Sequence, residues 1–347
     1  MLISILAFAL VFTFIALTHE FGHLIWAKRA GIRVFEFGLG FGPRLFAFEK
    51  GGTTYSVNLI PILGFIRIAG EGDSEADKLC PANENFNNKP PAQKFKAIIA
   101  GPLMNILAAI IILFLLFSFA GIPQGVSNEI GAIAKNSPAE KAGLRAGDRI
   151  LSINGQTFPD FEKAIAFIHQ STNKKLSIIV DRNSRHLSVS ATPAFNKSLK
   201  VALLGFSPKP IYQKANLLSA AYRSLEQIFN MVVATLVILW GLVTGGVSIR
   251  DIAGPIGIAQ VTGKYAQSGL ISFVYFVAFI NVNLGVINLL PLPALDGGHL
   301  LIIILEALRR KPFNPELVNK INAWGMSALL ALMAIVSLSD LLRLFGR

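Results

Sequence analysis

Long apolar stretches, interrupted by short polar ones, dominate this chain of 347 residues. Five stretches contain no Asp, Glu, Lys or Arg: 1–18, 97–128, 227–249, 265–295 and 321–339. A helix needs about 20 apolar residues to cross a bilayer. The pattern therefore predicts a polytopic α-helical membrane protein. Because the first stretch lacks a basic start and a small-residue cleavage site, we interpret it as a mature helix rather than a signal peptide.

Two regions depart from this pattern. Residues 31–70 alternate aromatic or β-branched residues with glycine, and KGGT at 50–53 separates two runs, which predicts β-hairpins beside the membrane. Residues 126–209 regain a soluble composition, and we expect one compact αβ domain there. Its predicted elements are a helix capped by Ser137 with Pro138 at its first position, a strand at 149–153, a helix at 160–171 and a hairpin at 175–191.

Charge sharpens the membrane interpretation. Only 15% of residues are charged and 53% are hydrophobic, with a net charge of +12. The basic residues flank the apolar stretches, ten between Lys28 and Lys96 and four at 309–320, so we expect both loops to be cytoplasmic and no nucleic-acid partner. Cys80 is the single cysteine, which excludes an intrachain disulfide.

The first apolar stretch ends in the pentapeptide HEFGH, which brings His19, Glu20 and His23 into a membrane helix. Ionisable groups are costly there and usually functional. Histidines at i and i+4 lie on one helical face and can bind one Zn²⁺, while the glutamate beside them can act as a general base. A pair of satisfied polar residues at a helix interface would leave the cost of burying Glu20 unexplained.

Catalytic zinc usually has three protein ligands, so two histidines leave one position to fill. Asp296 is the candidate, since it is the first charged residue after Lys264 and follows the helix-breaking sequence NLLPLPAL. A helix N-cap at the membrane interface is its alternative role. His299 is a rival ligand, although an interfacial position fits it better.

HEFGH in the first span and NLLPLPALDGG after the third resemble the paired motifs of the site-2 protease family of intramembrane zinc metalloproteases. AGPLMN at 100–105 is similar to the family's G-x-x-x-N motif, FGLGFGPRL and LGFIRIAGE resemble its membrane-associated β region, and 129–208 resemble its PDZ insert. The chain has one PDZ-like unit, whereas some members have two. The resemblance covers nearly the whole chain.

The resemblance implies the roles of individual residues. His19, His23 and Asp296 would be the zinc ligands and Glu20 the catalytic base. Asn105 and Asn288 would lie near the scissile peptide, or alternatively form interhelical hydrogen bonds. In LLGF at 203–206, Gly205 would belong to a loop that binds peptide C-termini; a size filter for substrates is the alternative role of this domain.

The predicted architecture has about four spans, a membrane-associated β region and one extracytoplasmic αβ PDZ-like domain. The divisions are a first span with HExxH (1–30), a cytoplasmic-side β region and loop (31–94), a second span (95–121), the PDZ-like domain (126–209), peripheral helices with a Gly/Pro break (212–264), and the third and fourth spans with the LDG motif (265–347). The number of crossings between the histidines and Asp296 predicts that 227–249 does not cross the membrane. With that extra crossing, the third span would end on the side opposite the histidines, and Asp296 could not reach them.

The resulting hypothesis is an intramembrane zinc endopeptidase of the bacterial cytoplasmic (inner) membrane. Its substrates would be single-span membrane proteins cut in their transmembrane segments during regulated proteolysis, for example anti-sigma factors or signal-peptide remnants. Membrane lipid and peptide C-termini are its other expected partners. The Gly-rich β region could hold an unwound substrate strand or cover the site as a plug. A PDZ scaffold with an inactive metal site is the alternative from another class, and a metal transporter ranks last.

Overall fold

The chain folds as two compact units in a computed structural model that describes residues 2–70, 75–196, 201–248 and 253–344. One unit, residues 117–220, contains the predicted PDZ-like domain; the other combines 1–116 with 221–347. Parts of the predicted divisions lie outside the described residues: Met1, the start of the polar loop at 71–74, 197–200, the first half of the Gly/Pro break at 249–252, and 345–347.

The larger unit is mainly helical. Its helices are α1 (Leu2–Arg29), the short α2 (Glu75–Lys78), α3 (Pro91–Ala120), α6 (Leu217–Val243), α7 (Pro255–Gln267), α8 (Leu270–Asn288), α9 (Asp296–Arg309) and α10 (Pro315–Leu344). Two 3₁₀ turns, Ala82–Glu84 and Phe86–Asn88, precede α3. By length and composition, α1, α3, α6, α8 and α10 are able to cross a membrane. These helices are those of a multi-pass membrane protein.

The third of these five helices, α6, begins at Leu217, ten residues before the apolar stretch at 227. Two side-chain hydrogen bonds join it to α8: Gln227 donates to Tyr275 Oη (2.7 Å) and Thr235 donates to Asn283 Oδ1 (3.0 Å). Each partner lies the same distance further along the chain, so α6 and α8 run side by side in the same direction.

Two parallel neighbouring helices require the intervening chain to return to its starting side. The direction in which α8 crosses the membrane is therefore the same whether or not α6 crosses. From the sequence alone, we had assumed that this direction depends on α6 being peripheral. That 227–249 does not cross the membrane stays a prediction. Its test is labelling of cysteines introduced at Ser248 and Ser268 by an impermeant thiol reagent; we expect both to react from outside.

The β region is a long hairpin of β1 (Val34–Lys50) and β2 (Thr53–Ile68), with the turn at the glycines of KGGT as predicted. The hairpin folds over, because residues 36–39 lie beside both 54–57 and 64–67. Its distal half exposes several large apolar side chains, Phe41, Leu45, Phe46, Phe48, Leu59, Ile60 and Leu63, as expected of a membrane-associated element.

The hairpin packs on α1. The Leu63 N–H donates to Thr13 Oγ1 (3.2 Å). A side chain at Gly64 would collide with Leu17, which lies just before the histidines. This glycine therefore brings β2 against α1 beside the predicted site.

The smaller unit has a five-stranded sheet in the order β6-β5-β4-β3-β9 and a separate pair, β7 with β8. The strands are β3 (Ile122–Ile133), β4 (Arg149–Ile153), β5 (Leu176–Arg182), β6 (Arg185–Ala191), β7 (Ala194–Asn196), β8 (Val201–Leu203) and β9 (Phe206–Gln213), with helices α4 (Pro138–Lys141) and α5 (Phe161–Gln170). The local predictions here are confirmed: Ser137 caps α4 by accepting from the Glu140 N–H, and β5 and β6 form the expected hairpin.

A buried ion pair ties the smaller unit together. Both carboxylate oxygens of Asp148 accept hydrogen bonds from Arg182, at 2.6 and 2.7 Å, and the Arg145 N–H donates a third at 2.8 Å. Burial raises the pKa of such a carboxyl, but the hydrogen bonds from Arg182 and Arg145 outweigh it and hold the pKa of Asp148 below its usual value.

The outer edge of β9 is poor in hydrogen-bond donors. Gly205 O accepts from the Ala134 N–H and Lys209 O accepts from Ser127 Oγ, so alternate residues starting at Gly205 face β3. The intervening residues, Phe206, Pro208 and Pro210, then face the open edge, and proline has no N–H. Peptide addition to a sheet edge needs main-chain donors as well as acceptors.

Candidate metal centre

Three side chains from α1 and α9 meet inside the larger unit. His19 Nε2 lies 3.1 Å from Asp296 Oδ2, His23 Nε2 lies 3.6 Å from the same oxygen, and the two histidine nitrogens are 3.2 Å apart. Tetrahedral zinc with bonds of about 2.0–2.2 Å places its ligand atoms about 3.3–3.6 Å apart. The triangle therefore has the size of one face of a zinc site.

The chemistry of the triangle also fits zinc. Two imidazoles and one carboxylate are typical ligands of catalytic zinc, and they leave the fourth position open. Asp296 Oδ2 is buried and accepts no hydrogen bond within the described part of the chain, although both histidines are near. A buried carboxylate oxygen without a donor is costly, and a cation between the three atoms would satisfy it.

Local sequence explains how Asp296 reaches the histidines. After α8 the chain turns sharply, with Ala294 at a positive φ of 68°, and Asp296 opens α9. Side chains at Gly297 and Gly298 would collide with the backbone carbonyls of Leu289, Leu290 and Leu292. The two glycines therefore allow the turn to close under the carboxylate.

Helix α3 supports both histidines from the other side. His23 Nδ1 lies 2.8 Å from the Ala97 carbonyl oxygen, so it carries the proton and leaves Nε2 free as a ligand. A side chain at Gly101 would collide with the rings of His23 and His19. No sequence signal marks the Ala97 contact, since any residue has a carbonyl.

Glu20 lines the same cavity of about 550 Å³ as the three ligands. Within the ranges that the structure describes, its carboxylate accepts no hydrogen bond and has no ion-pair partner. It is thus available to take a proton. His299 lines the cavity too but does not join the three ligand atoms. The cavity is also lined by Ile66 and Ile68 of β2 and by Asn319 and Asn322 of α10, none of which the sequence indicated.

The three other predicted site residues lie at different distances from the ligand triangle. Asn105 is fully buried and faces His19, with its Nδ2 3.4 Å from His19 Nδ1. Asn288, the last residue of α8, is half-buried and does not line the described cavity. Gly205 belongs to the smaller unit, where its positive φ of 83° and its contact with Ser137 exclude a side chain. Their proposed contacts with substrate stay predictions.

A triangle of two histidines and an aspartate among apolar helices, with a glutamate that lines the same cavity, defines a class of zinc-dependent hydrolases. The family model for Peptidase family M50 matches residues 7–332. The chain therefore belongs to this family, the site-2 proteases, and is a zinc metalloendopeptidase.

Curated relatives match along almost their whole length. The chain is 31% identical to the regulator of sigma-W protease RasP of Bacillus subtilis, covering 99% of each chain. It is 34% identical to a putative zinc metalloprotease of Clostridium acetobutylicum, covering 97% of this chain and 96% of the relative. It is 29% identical to the probable protease Eep of Enterococcus faecalis, over 99% of each.

Two solved structures of PDZ domains each match about a quarter of the chain. The PDZ domain of an SdrC-like protein from Listeria monocytogenes is 20% identical and covers 25% of this chain and 90% of its own, with a TM-score of 0.22. A counterpart from Listeria innocua is 24% identical and covers 24% and 93%, with the same TM-score.

Proposed function

We propose that this protein cleaves the transmembrane segments of single-span membrane proteins, using a zinc ion held by His19, His23 and Asp296. The observation that carries the proposal is the ligand triangle, which lies among apolar helices and shares its cavity with Glu20, a glutamate without an ion-pair partner in the described part of the chain. A transporter site would need further charged groups along the spans. The Bacillus subtilis relative is named as a regulator of sigma-W, which supports anti-sigma factors as one proposed substrate class. Signal-peptide remnants are another.

Each residue of the site has its own role in the proposed hydrolysis. Zinc bound there would polarise the scissile carbonyl and lower the pKa of the attacking water. Glu20 takes the proton of that water on its free carboxylate and delivers it to the leaving amine. The Ala97 carbonyl keeps His23 in the tautomer that presents Nε2 to the metal ion.

Glu20→Gln tests the reaction apart from the metal. We expect the variant to keep its zinc and to lose about 10²–10⁴-fold in cleavage rate, since general base catalysis contributes that much. Fragments of a single-span substrate in proteoliposomes provide the readout. Cleavage by Glu20→Gln at the wild-type rate would instead favour the alternative, a scaffold whose metal site is inactive.

Zinc occupancy tests the ligands. His19→Ala, His23→Ala and Asp296→Ala should each lower the zinc content of the purified protein. Full zinc in the double histidine variant would contradict the assignment.

Orientation follows from the basic residues. We infer that the loops at 28–96 and 309–320 face the cytoplasm of a bacterium and that the PDZ-like unit lies outside the cytoplasmic membrane. A reporter fused near Asn154 should be active only when extracytoplasmic. Activity of a cytoplasmic reporter at the same position would contradict this orientation.

The β hairpin is the proposed holder of the unwound substrate. Residues 64–67 of β2 pair with 36–39, and Ile66 in this stretch and Ile68 just after it line the cavity of the ligand triangle. A substrate strand added beside β2 would run past Glu20 in the extended form that hydrolysis requires. The Ala69 N–H donates to the Arg33 carbonyl, so the alternate N–H groups, those of Ile66 and Ile68, face the open side of β2. Complete cleavage by a chain with Ile66→Pro and Ile68→Pro would favour the plug interpretation, since these prolines remove the main-chain donors of that side.

The donor-poor edge of β9 favours a size filter over a strand-adding peptide receptor for the smaller unit. Substrates with one short extracytoplasmic stub, ending in a carboxylate or an amide, should be cut at equal rates. Appending a folded domain to that stub should slow cleavage. Loss of cleavage with the amide ending would show that the unit reads peptide C-termini instead.

A further inference from the structure

One face of α3 contacts the two histidines of the metal centre. Ala97, Gly101 and Asn105 follow one another at intervals of four residues, which places them one above the other on the helix. The Ala97 carbonyl contacts His23, Gly101 leaves room for both rings, and Asn105 reaches His19. The spacing between Gly101 and Asn105 thus reproduces the spacing of one helical turn between the histidines.

Asn105 has no exposed surface, and its Oδ1 has no hydrogen-bond partner within the described residues. Its Nδ2 lies 3.4 Å from His19 Nδ1. The oxygen and nitrogen of an amide have the same shape, so the contact admits either orientation. A buried amide held against one imidazole calls for a functional explanation, because an unsatisfied polar atom is costly.

The tautomer of His19 decides between the two orientations. If Asn105 Nδ2 donated to His19 Nδ1, a neutral His19 would carry its proton on Nε2, the atom that faces Asp296, and could not bind a metal ion there. If Asn105 Oδ1 faces the ring, it accepts the Nδ1 proton and Nε2 presents its lone pair to the other two ligands. The Ala97 oxygen has this same relation to His23.

We propose that Asn105 is a positioning residue of the zinc site, whose side-chain oxygen accepts the Nδ1 proton of His19 and fixes the ring and tautomer for metal binding. The proposal rests on the proposed function, since it assumes that His19 is a zinc ligand. It assigns Asn105 to the support of the ligand rather than to the scissile peptide.

The experiment measures zinc affinity directly. Full-length Asn105→Leu, which has a similar volume and no acceptor, is titrated with zinc in competition with a chromophoric chelator. We expect affinity to fall about 10–100-fold, the usual effect of losing such a partner. The ligand-field spectrum of bound Co²⁺ should also change, because His19 loses its fixed orientation.

Two further variants separate this role from a structural one. Asn105→Asp keeps an acceptor for His19 and should bind zinc close to the wild-type affinity. Asn281→Leu removes an equally buried asparagine of α8, whose Nδ2 donates to the Val277 carbonyl, and should also leave zinc binding unchanged. A loss shared by Asn105→Leu and Asn281→Leu would indicate disturbed helix packing and overturn the proposal.

Asp296→Ala distinguishes failure of this inference from failure of the proposed function. If Asp296→Ala loses zinc while Asn105→Leu binds it as tightly as the wild type, Asn105 has no positioning role. If Asp296→Ala itself keeps full affinity, the zinc site is assigned to the wrong residues and both proposals fall.

Discussion

Asp148 of the smaller unit and Asp296 of the larger unit are both largely buried, yet their surroundings differ completely. The side chain of Asp148 is 1% exposed, and both of its oxygens accept hydrogen bonds from Arg182. The side chain of Asp296 is 17% exposed, and its buried Oδ2 faces two histidine nitrogens without accepting from either. The fold supplies hydrogen-bond donors to both oxygens of Asp148 and, within the described residues, supplies none to Oδ2 of Asp296, which is available to a ligand.

This contrast separates a structural acid from a functional one without reference to any relative. Removing Asp148 should damage the fold and spare the metal, and removing Asp296 should do the reverse. The following predictions test that separation.

The largest effect is expected from Asp296→Asn. The amide keeps the shape but is a poor zinc ligand, so zinc affinity should fall by more than about 100-fold, the upper end of the effect of an outer partner. Metal-free protein should be no less stable than the wild type, because Oδ2 of the carboxylate accepts no hydrogen bond from any residue that the structure describes. Zinc titration and thermal unfolding with a chelator check both points, and marked destabilisation of the metal-free variant would contradict the contrast.

Gly101→Ala should come next. The added methyl group would collide with both histidine rings, so α3 or the rings must shift. We expect about a 10–100-fold loss of zinc affinity, comparable with the loss of an outer partner. Gly246→Ala is the control in the same unit, because this glycine has no positive φ and a side chain there would approach its nearest neighbour only to 3.7 Å. Equal zinc affinity in the two variants would show that the close approach of α3 is not needed.

Asp148→Asn should destabilise only the smaller unit. The amide cannot accept from Arg182 and Arg145 on both of its atoms, and an unsatisfied buried partner costs about 2–3 kcal/mol, or about 30–150-fold in the unfolding equilibrium. Hydrogen exchange in β4 and β5 should rise by that factor while zinc affinity stays unchanged. A parallel loss of zinc would show that this pair serves the site as well as the fold.

The smallest expected effect is on the stability of the smaller unit at low pH. Because the folded pKa of Asp148 is lowered, its stabilising contribution is complete above the unfolded pKa of about 3.9 and is lost as pH falls through the folded value. Between about pH 5 and pH 3, the smaller unit should lose stability more steeply in the wild type than in Asp148→Asn. Hydrogen-exchange rates, corrected for their intrinsic pH dependence, measure the stability of this unit in both proteins. Parallel curves of stability against pH would contradict the stabilising role of the ionised Asp148.

Sequence reasoning succeeded where the signal is local or chemical. Ser137 and Pro138 predicted α4 because a cap and a preset φ act within one turn. HEFGH and Asp296 identified the triangle because few residue types bind zinc and charges are rare in apolar helices. Both signals can be read without knowing which elements are neighbours.

The rest depended on tertiary contacts. The Ala97 carbonyl has no sequence signature, and neither does the contact between the Asn105 amide and His19. The common direction of α6 and α8 follows from Gln227 and Thr235 meeting α8, which hydropathy does not encode. The alternation of apolar residues and glycine predicts strands, but it cannot show that one segment of β1 pairs with two parts of β2.

The wide separation of the metal ligands along the chain has a consequence for biosynthesis. The histidines belong to the first helix, their supports belong to α3, and the aspartate is added only after α8 has been synthesised. A nascent chain on the ribosome therefore holds an incomplete ligand set through most of its translation. Prematurely terminated chains are expected to be inert, so proteolytic capacity arises only when nearly the whole polypeptide has been inserted.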